Sequence, residues 1–248
     1  EAYRGLVYTA GDLSWGLLTA GDHLGEPTDD LGLLQDWLAF GGRRLAMMGD
    51  NLYWGLTEVG PAGEAFMRDV LGAEFLDNAL RPYIGNQVTP LVRAVPGPWP
   101  PHHLEEWVVY GGCPDVNTFD VVTAVEGAER TAEFTDWNGE DGAFPYAAMI
   151  VRTGGALDTR AYSLPYDLLV VQSPPGWEGS SYYGVVPARV ALLGDILQDM
   201  ALGPPGPPVA APDAPRTLTV SQYPNPFNPR TTIALDLPRT AAVALQIY

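Results

Sequence analysis

Short apolar runs alternate with helical patterns along the first fifty residues. The run 5–10 is closed by Gly11-Asp12 and predicts a buried strand that delivers a loop at its carboxyl end. The apolar spacing within 31–38 places these side chains on one face and predicts a helix. A second apolar run at 43–48 predicts the next strand. This order and spacing predict a β–α–β unit with a parallel sheet.

The same patterns continue to about residue 202. Helices are predicted at 61–71 and 187–202, and strands are predicted at 106–110, 119–125, 146–152 and 160–166. Strands that alternate with helices predict an α/β fold. The segment 203–215 contains six prolines and no periodicity, which is typical of a stiff, extended linker. We therefore predict a large domain at 1–202, a proline-rich linker at 203–216 and an incomplete β module at 217–248.

The β module carries a specific motif. The run Tyr223-Pro-Asn-Pro-Phe-Asn-Pro229 is followed by Thr232-Ile233 and an alternating strand. This pattern resembles the opening of the immunoglobulin-like domain shared by the flagellar hook-capping protein and type IX secretion sorting modules. The resemblance covers about an eighth of the chain. It implies the first strands of a β-sandwich, secretion or cell-surface machinery as partner, and an extracellular or cell-surface location for a bacterial protein.

The large domain resembles another family more weakly. The features are the helix at 30–40, the Gly41-Gly42 break, the strand that ends at 47–51, and 162–166 before the last helix. They are similar to the class I glutamine amidotransferase-like fold, a flavodoxin-like parallel sheet sandwiched by helices. The resemblance implies a nucleophilic cysteine in a Gly-x-Cys-x-Gly turn, followed along the chain by a histidine and a glutamate.

The single cysteine departs from that pattern. Cys113 has a leading glycine but no trailing one, and Pro114 removes the backbone N–H directly after the thiol. All histidines precede it: His23, His102 and His103. The family order of nucleophile and base is therefore not met, which favours a non-catalytic binding or structural domain. The alternative is a cysteine hydrolase or peptidase with Cys113 as nucleophile and His102 or His103 as base.

Two sets of carboxylates are candidate ligand sites. Asp12 and Asp50, with the neighbouring Asn51, follow predicted parallel strands, and open α/β sheets bind ligands at that edge. Aspartate after glycine is also a common turn residue. A second loop has oxygen side chains at alternating positions, Asp136, Asn138 and Glu140, which suggests a calcium site. The loop lacks the glycine that calcium loops have at the sixth position. A calcium-stabilised adhesive module is thus a second alternative; otherwise no cofactor is expected.

Composition narrows the function further. The 248 residues include 30 acidic and 13 basic side chains, which gives a net charge of −17. All 13 basic residues are arginine. Such a surface repels phosphate backbones, so no nucleic acid partner is expected. No apolar run approaches the length of a transmembrane helix. Because the chain starts at Glu1 without methionine and stops inside an apolar pattern, we expect a segment of a longer polypeptide, which the sorting-module resemblance implies is exported.

Overall fold

A computed structural model describes most of the first 200 residues and two short strands beyond them. The described ranges are 3–11, 18–21, 28–86, 88–97, 104–109, 119–135, 146–178, 185–200, 219–223 and 232–236. The chain divides into two units, Glu1–Pro204 and Pro205–Tyr248. The predicted linker at 203–216 lies outside the described residues. Among the described helices, none is long and apolar enough to cross a membrane.

The first unit contains ten strands and four α-helices in its described part. The strands are β1 (Gly5–Thr9), β2 (Arg44–Met48), β3 (Ala73–Asp77), β4 (Leu91–Ala94), β5 (Glu106–Val109), β6 (Val121–Ala124), β7 (Ala128–Thr135), β8 (Ala147–Thr153), β9 (Arg160–Leu164) and β10 (Val171–Gln172). The helices are α1 (Asp30–Ala39), α2 (Leu52–Glu58), α3 (Pro61–Phe66) and α4 (Ala188–Asp199), and a π-helical turn, Met67–Leu71, follows α3.

The main sheet is mixed. Its eight strands have the order β1-β2-β9-β8-β7-β4-β5-β10, and β3 pairs with β6 in a separate two-stranded sheet. Only β1, β2 and β9 are parallel to one another, while the other neighbours in the main sheet are antiparallel. The predicted β–α–β unit is therefore present as β1, α1 and β2. The flavodoxin-like parallel sheet is wrong: strands outnumber helices, and most of the pairing is antiparallel.

The error has a physical cause. Apolar runs predict which segments are buried, but they do not predict the direction in which a strand pairs. The strand β7 was not predicted, because charged residues interrupt its apolar positions. It inserts between β8 and β4 and pairs antiparallel with both. The strands β4 and β10 of the antiparallel half were not predicted either, so the sequence patterns did not show how this half of the sheet pairs.

The core lies on both faces of the sheet. Leu45 and Met47 of β2 pack in one apolar cluster, and Ala46 and Met48 pack in the other, as the alternation of side chains along a strand requires. The helices α1, α2 and α3 contribute to the first cluster with Leu31, Leu52, Tyr53, Leu56 and Phe66. The helix α4 contributes to the second with Ala188, Ala191, Leu192 and Ile196. Burial on both sides explains why β2 is apolar from Leu45 to Met48.

The second unit is described only in part. Its described strands, β11 (Thr219–Tyr223) and β12 (Thr232–Asp236), form an antiparallel pair. The prediction for 217–248 was the first strands of an immunoglobulin-like β-sandwich, and the described residues show one antiparallel pair, while the rest of this segment lies outside them.

Candidate functional site

The parallel strands β1, β2 and β9 bring polar residues to one edge of the sheet. Thr9 ends β1, Asp50 follows β2, and Asp167 follows β9. The Thr9 hydroxyl donates a hydrogen bond to the Asp167 carboxylate. The other carboxylate oxygen of Asp167 accepts from the backbone N–H of Leu169 at 2.7 Å and caps a short 3₁₀ turn. Asp167 therefore ties the end of β1 to the segment after β9.

Asp50 lies at the predicted edge, but it is fully buried. Its backbone N–H donates to the carbonyl of Gly11 at 3.0 Å, and its carbonyl accepts from the N–H of Asp120 at 3.2 Å. The main chain at Asp50 thus joins the ends of two strands to the segment that precedes β6. Asn51 is at the N-cap position of α2, where its side chain makes no capping hydrogen bond.

Asp120 caps α2 from a distant part of the chain. Its Oδ2 atom accepts from the backbone N–H groups of Tyr53 at 2.8 Å and Trp54 at 3.2 Å. The first N–H groups of a helix have no partner inside the helix, and the helix dipole favours a negative group there. Asp120 is fully buried. It therefore supplies, across 67 residues of sequence, the cap that Asn51 does not.

Burial changes the electrostatics of this cluster. Removal from water raises the pKa of Asp120 to about 8, and the nearby Asp50 acts in the same direction, although the two backbone N–H groups lower it. Burial also raises the pKa of Tyr53 well above its usual range. Asp120 is therefore neutral at and below neutral pH. A buried, protonated acid that caps a helix serves the fold, since substrate in solvent cannot reach it.

A second charged cluster lies at the amino end of β9. The Arg160 guanidinium donates to Oδ1 of Asp199 at 2.8 Å, and the Tyr162 hydroxyl donates to the other carboxylate oxygen of Asp199. The Asp199 side chain has no exposed surface, and that of Arg160 is 12% exposed. Burial and the Asp199 carboxylate raise the pKa of Tyr162. These contacts fasten the last turn of α4 to the centre of the sheet.

Most of the candidate residues from the sequence lie outside the described residues: Asp12, His102, His103, Cys113, Asp136, Asn138 and Glu140. Within the described ranges, no group of three or more His, Cys, Asp or Glu side chains could hold a metal ion. The sequence reasoning missed Thr9, Asp120 and Asp167 as parts of the edge. All three flank apolar strands, which is the signal that could have identified them.

Comparisons with known proteins identify no family. No family model matches the chain, and no curated protein matches it. Among solved structures, a β-galactosidase from Bacillus circulans sp. alkalophilus has 14% identity and a TM-score of 0.47 over 89% of this chain and 25% of that one. A β-galactosidase from Rahnella sp. R3 has 12% identity and a TM-score of 0.44, with the same coverage of both chains. The chain spans about a quarter of either enzyme.

The two families recognised in the sequence are corrected here. The amidotransferase-like, flavodoxin-like assignment of 1–202 is wrong, because the main sheet is mixed and largely antiparallel and no family model matches. The immunoglobulin-like sorting-module assignment of 217–248 has no support from the comparisons either, since no family model and no curated protein matches the chain.

Proposed function

We propose that residues 1–204 form a non-catalytic binding or structural unit. The supporting observation is that, among the residues that the structure describes, the carboxyl groups of Asp120 and Asp167 near this edge are buried and accept hydrogen bonds within the fold. Asp120 caps α2, and Asp167 joins Thr9 to a 3₁₀ turn. An enzyme that used this edge would need at least one such group in contact with substrate. Under this proposal the unit requires no cofactor.

Asp120→Ala tests the structural role of the cap. At pH 4, close to the ordinary pKa of aspartate, the difference in protonation between the folded and the unfolded chain contributes little to stability. The variant should there be less stable by about 1–3 kcal/mol, because two buried N–H groups lose their acceptor. Urea unfolding would measure this. Asp120→Asn, which keeps an acceptor oxygen, is the matched control and should stay close to the wild type. An alanine variant as stable as the wild type would show that the carboxyl group is not held for the fold.

Thiol labelling tests the cysteine hydrolase alternative. Cys113 is the single cysteine, so a disulfide reagent such as 5,5′-dithiobis(2-nitrobenzoate) reports on one site. A non-catalytic chain should react at pH 6–7 no faster than the urea-unfolded chain, because its thiol pKa is not depressed. A catalytic thiolate would react faster when folded than when unfolded, and that result would overturn the proposal.

A further inference from the structure

A cavity of about 400 Å³ lies at the amino end of the parallel strands, opposite the buried carboxyl cluster. Its lining includes Arg4, Gly41, Gly42, Arg43, Arg44 and Asp158. The chain has only 13 basic residues against 30 acidic ones, yet three arginines and one aspartate share this cavity. Cations brought so close together repel one another unless an anion lies between them.

Arg43 is held in place before any ligand arrives. Its guanidinium donates to the carbonyl of Tyr3 at 2.7 Å. It also lies 5.8 Å from the ring centroid of Trp37 and 5.9 Å from that of Phe40, within the range of cation–π attraction. A guanidinium fixed by stacking loses little side-chain entropy when an anion binds.

Arg44 is fixed in a different way. Its guanidinium donates to both carboxylate oxygens of Asp158, at 3.1 and 3.2 Å, and to the Asp158 carbonyl. Its side chain is only 14% exposed, whereas that of Asp158 is 76% exposed. Asp158 therefore orients Arg44 from the solvent side of the cavity and offsets only one of the three positive charges.

Arg4 and two glycines complete the cavity. Arg4 is exposed and makes no ion pair with the residues that the structure describes. Gly41 and Gly42 have φ values of +74° and +59°, a conformation that glycine adopts at little cost. A Cβ atom on Gly41 would lie 2.9 Å from the carbonyl oxygen of Leu157, whereas one on Gly42 would meet nothing within 4 Å. The glycines thus form the turn without filling the cavity.

We infer that this cavity binds a phosphate or sulfate group of a small ligand. Guanidinium groups bind such oxyanions through paired, charge-assisted hydrogen bonds, and a tetrahedral oxyanion can accept from several directions at once. The inference gives the binding unit proposed above a ligand class and rests on that proposal. It also explains why three arginines gather at one point of a strongly acidic chain.

Titration of the full 248-residue chain with inorganic phosphate, and separately with sulfate, tests the inference. Calorimetry at constant ionic strength, balanced with chloride, should detect binding to the wild type. Arg4→Ala should weaken it at least about 5-fold and Arg4→Glu at least about 10-fold, because each removes a guanidinium and the second adds a repelling charge. The Arg4 side chain is exposed, so melting temperatures in chloride should not change.

Arg68→Glu is the matched control. Arg68 is exposed and paired with Asp69 away from the cavity, so this variant makes the same change in net charge and should bind phosphate like the wild type. Absence of binding below about 50 mM, or equal affinity in Arg4→Glu and the wild type, would overturn the inference. Either result would leave the conclusions from the Asp120 and Cys113 experiments unchanged. Rapid Cys113 labelling would overturn the proposed function but would not change the result of the phosphate titration.

Discussion

The Asp120→Asn variant should lose much less stability than the wild-type chain as the pH rises from 4 to 8. The folded pKa of Asp120, about 8, lies above the value of 3.8 for a free aspartate. The folded chain therefore keeps a proton that the unfolded chain releases. This contribution is fully present below about pH 4 and is lost as the pH approaches 8, by an amount on the order of 5 kcal/mol.

Asparagine at position 120 removes the titrating carboxyl group and keeps an acceptor oxygen that can cap α2. Its side-chain oxygen can accept from the backbone N–H groups of Tyr53 and Trp54, as Oδ2 of Asp120 does. The variant should therefore match the wild type at pH 4 and exceed it in stability at pH 8. It also removes any repulsion between a carboxylate at 120 and the neighbouring Asp50.

Urea unfolding at intervals from pH 4 to 8 measures the difference between the two stability profiles. Asp36→Asn, on the exposed side of α1, is the control for the loss of one acidic side chain, and its profile should follow that of the wild type. Parallel profiles for Asp120→Asn and the wild type would mean that Asp120 is ionised in the fold, which would contradict the raised pKa.

The first fifty residues show how far sequence patterns reach in this fold. Local rules predict α1, since Asp29 accepts from the N–H of Gly32 as an N-cap and the leucines repeat at helical spacing. They also predict β2, which is apolar from Leu45 to Met48 because both of its faces are covered. Beyond this unit, strand direction depends on pairing between distant segments. The strand β7, with charged residues at 129, 130 and 133, has too weak an apolar pattern to be predicted as a strand.

The candidate site likewise combines features that local sequence predicts with features that depend on the whole fold. The position of Asp50 after a buried strand follows from a local pattern, and the structure places it at the carboxyl edge of β2. Its complete burial does not follow, because Gly-Asp in sequence looks like an exposed turn. Asp120 reaches α2 across a long stretch of chain, so only the folded sheet brings the two acids together. Burial, which no local pattern reports, is the observation on which the proposed structural role of this edge rests.

Asp199→Ala should destabilise the first unit by about 3–5 kcal/mol, the usual cost of removing one partner from a buried ion pair. The Arg160 guanidinium would lose the carboxylate, and the Tyr162 hydroxyl would lose its acceptor. Asp199 lies in the last turn of α4, where the helix dipole disfavours a negative charge. A carboxylate at that position is therefore explained by its partners in β9 and not by the helix itself.

Two further variants separate charge from hydrogen bonding. Tyr162→Phe removes only the hydroxyl that donates to Asp199 and should cost about 1 kcal/mol. Asp199→Asn keeps an acceptor but removes the negative charge, so its loss of stability should fall between those of Tyr162→Phe and Asp199→Ala. Urea unfolding at pH 7 measures the loss of stability in each of the three variants and so tests this order. If Asp199→Ala unfolded no more easily than Tyr162→Phe, the Arg160 ion pair would contribute nothing, and α4 would be held to the sheet by its apolar face and the Tyr162 hydrogen bond.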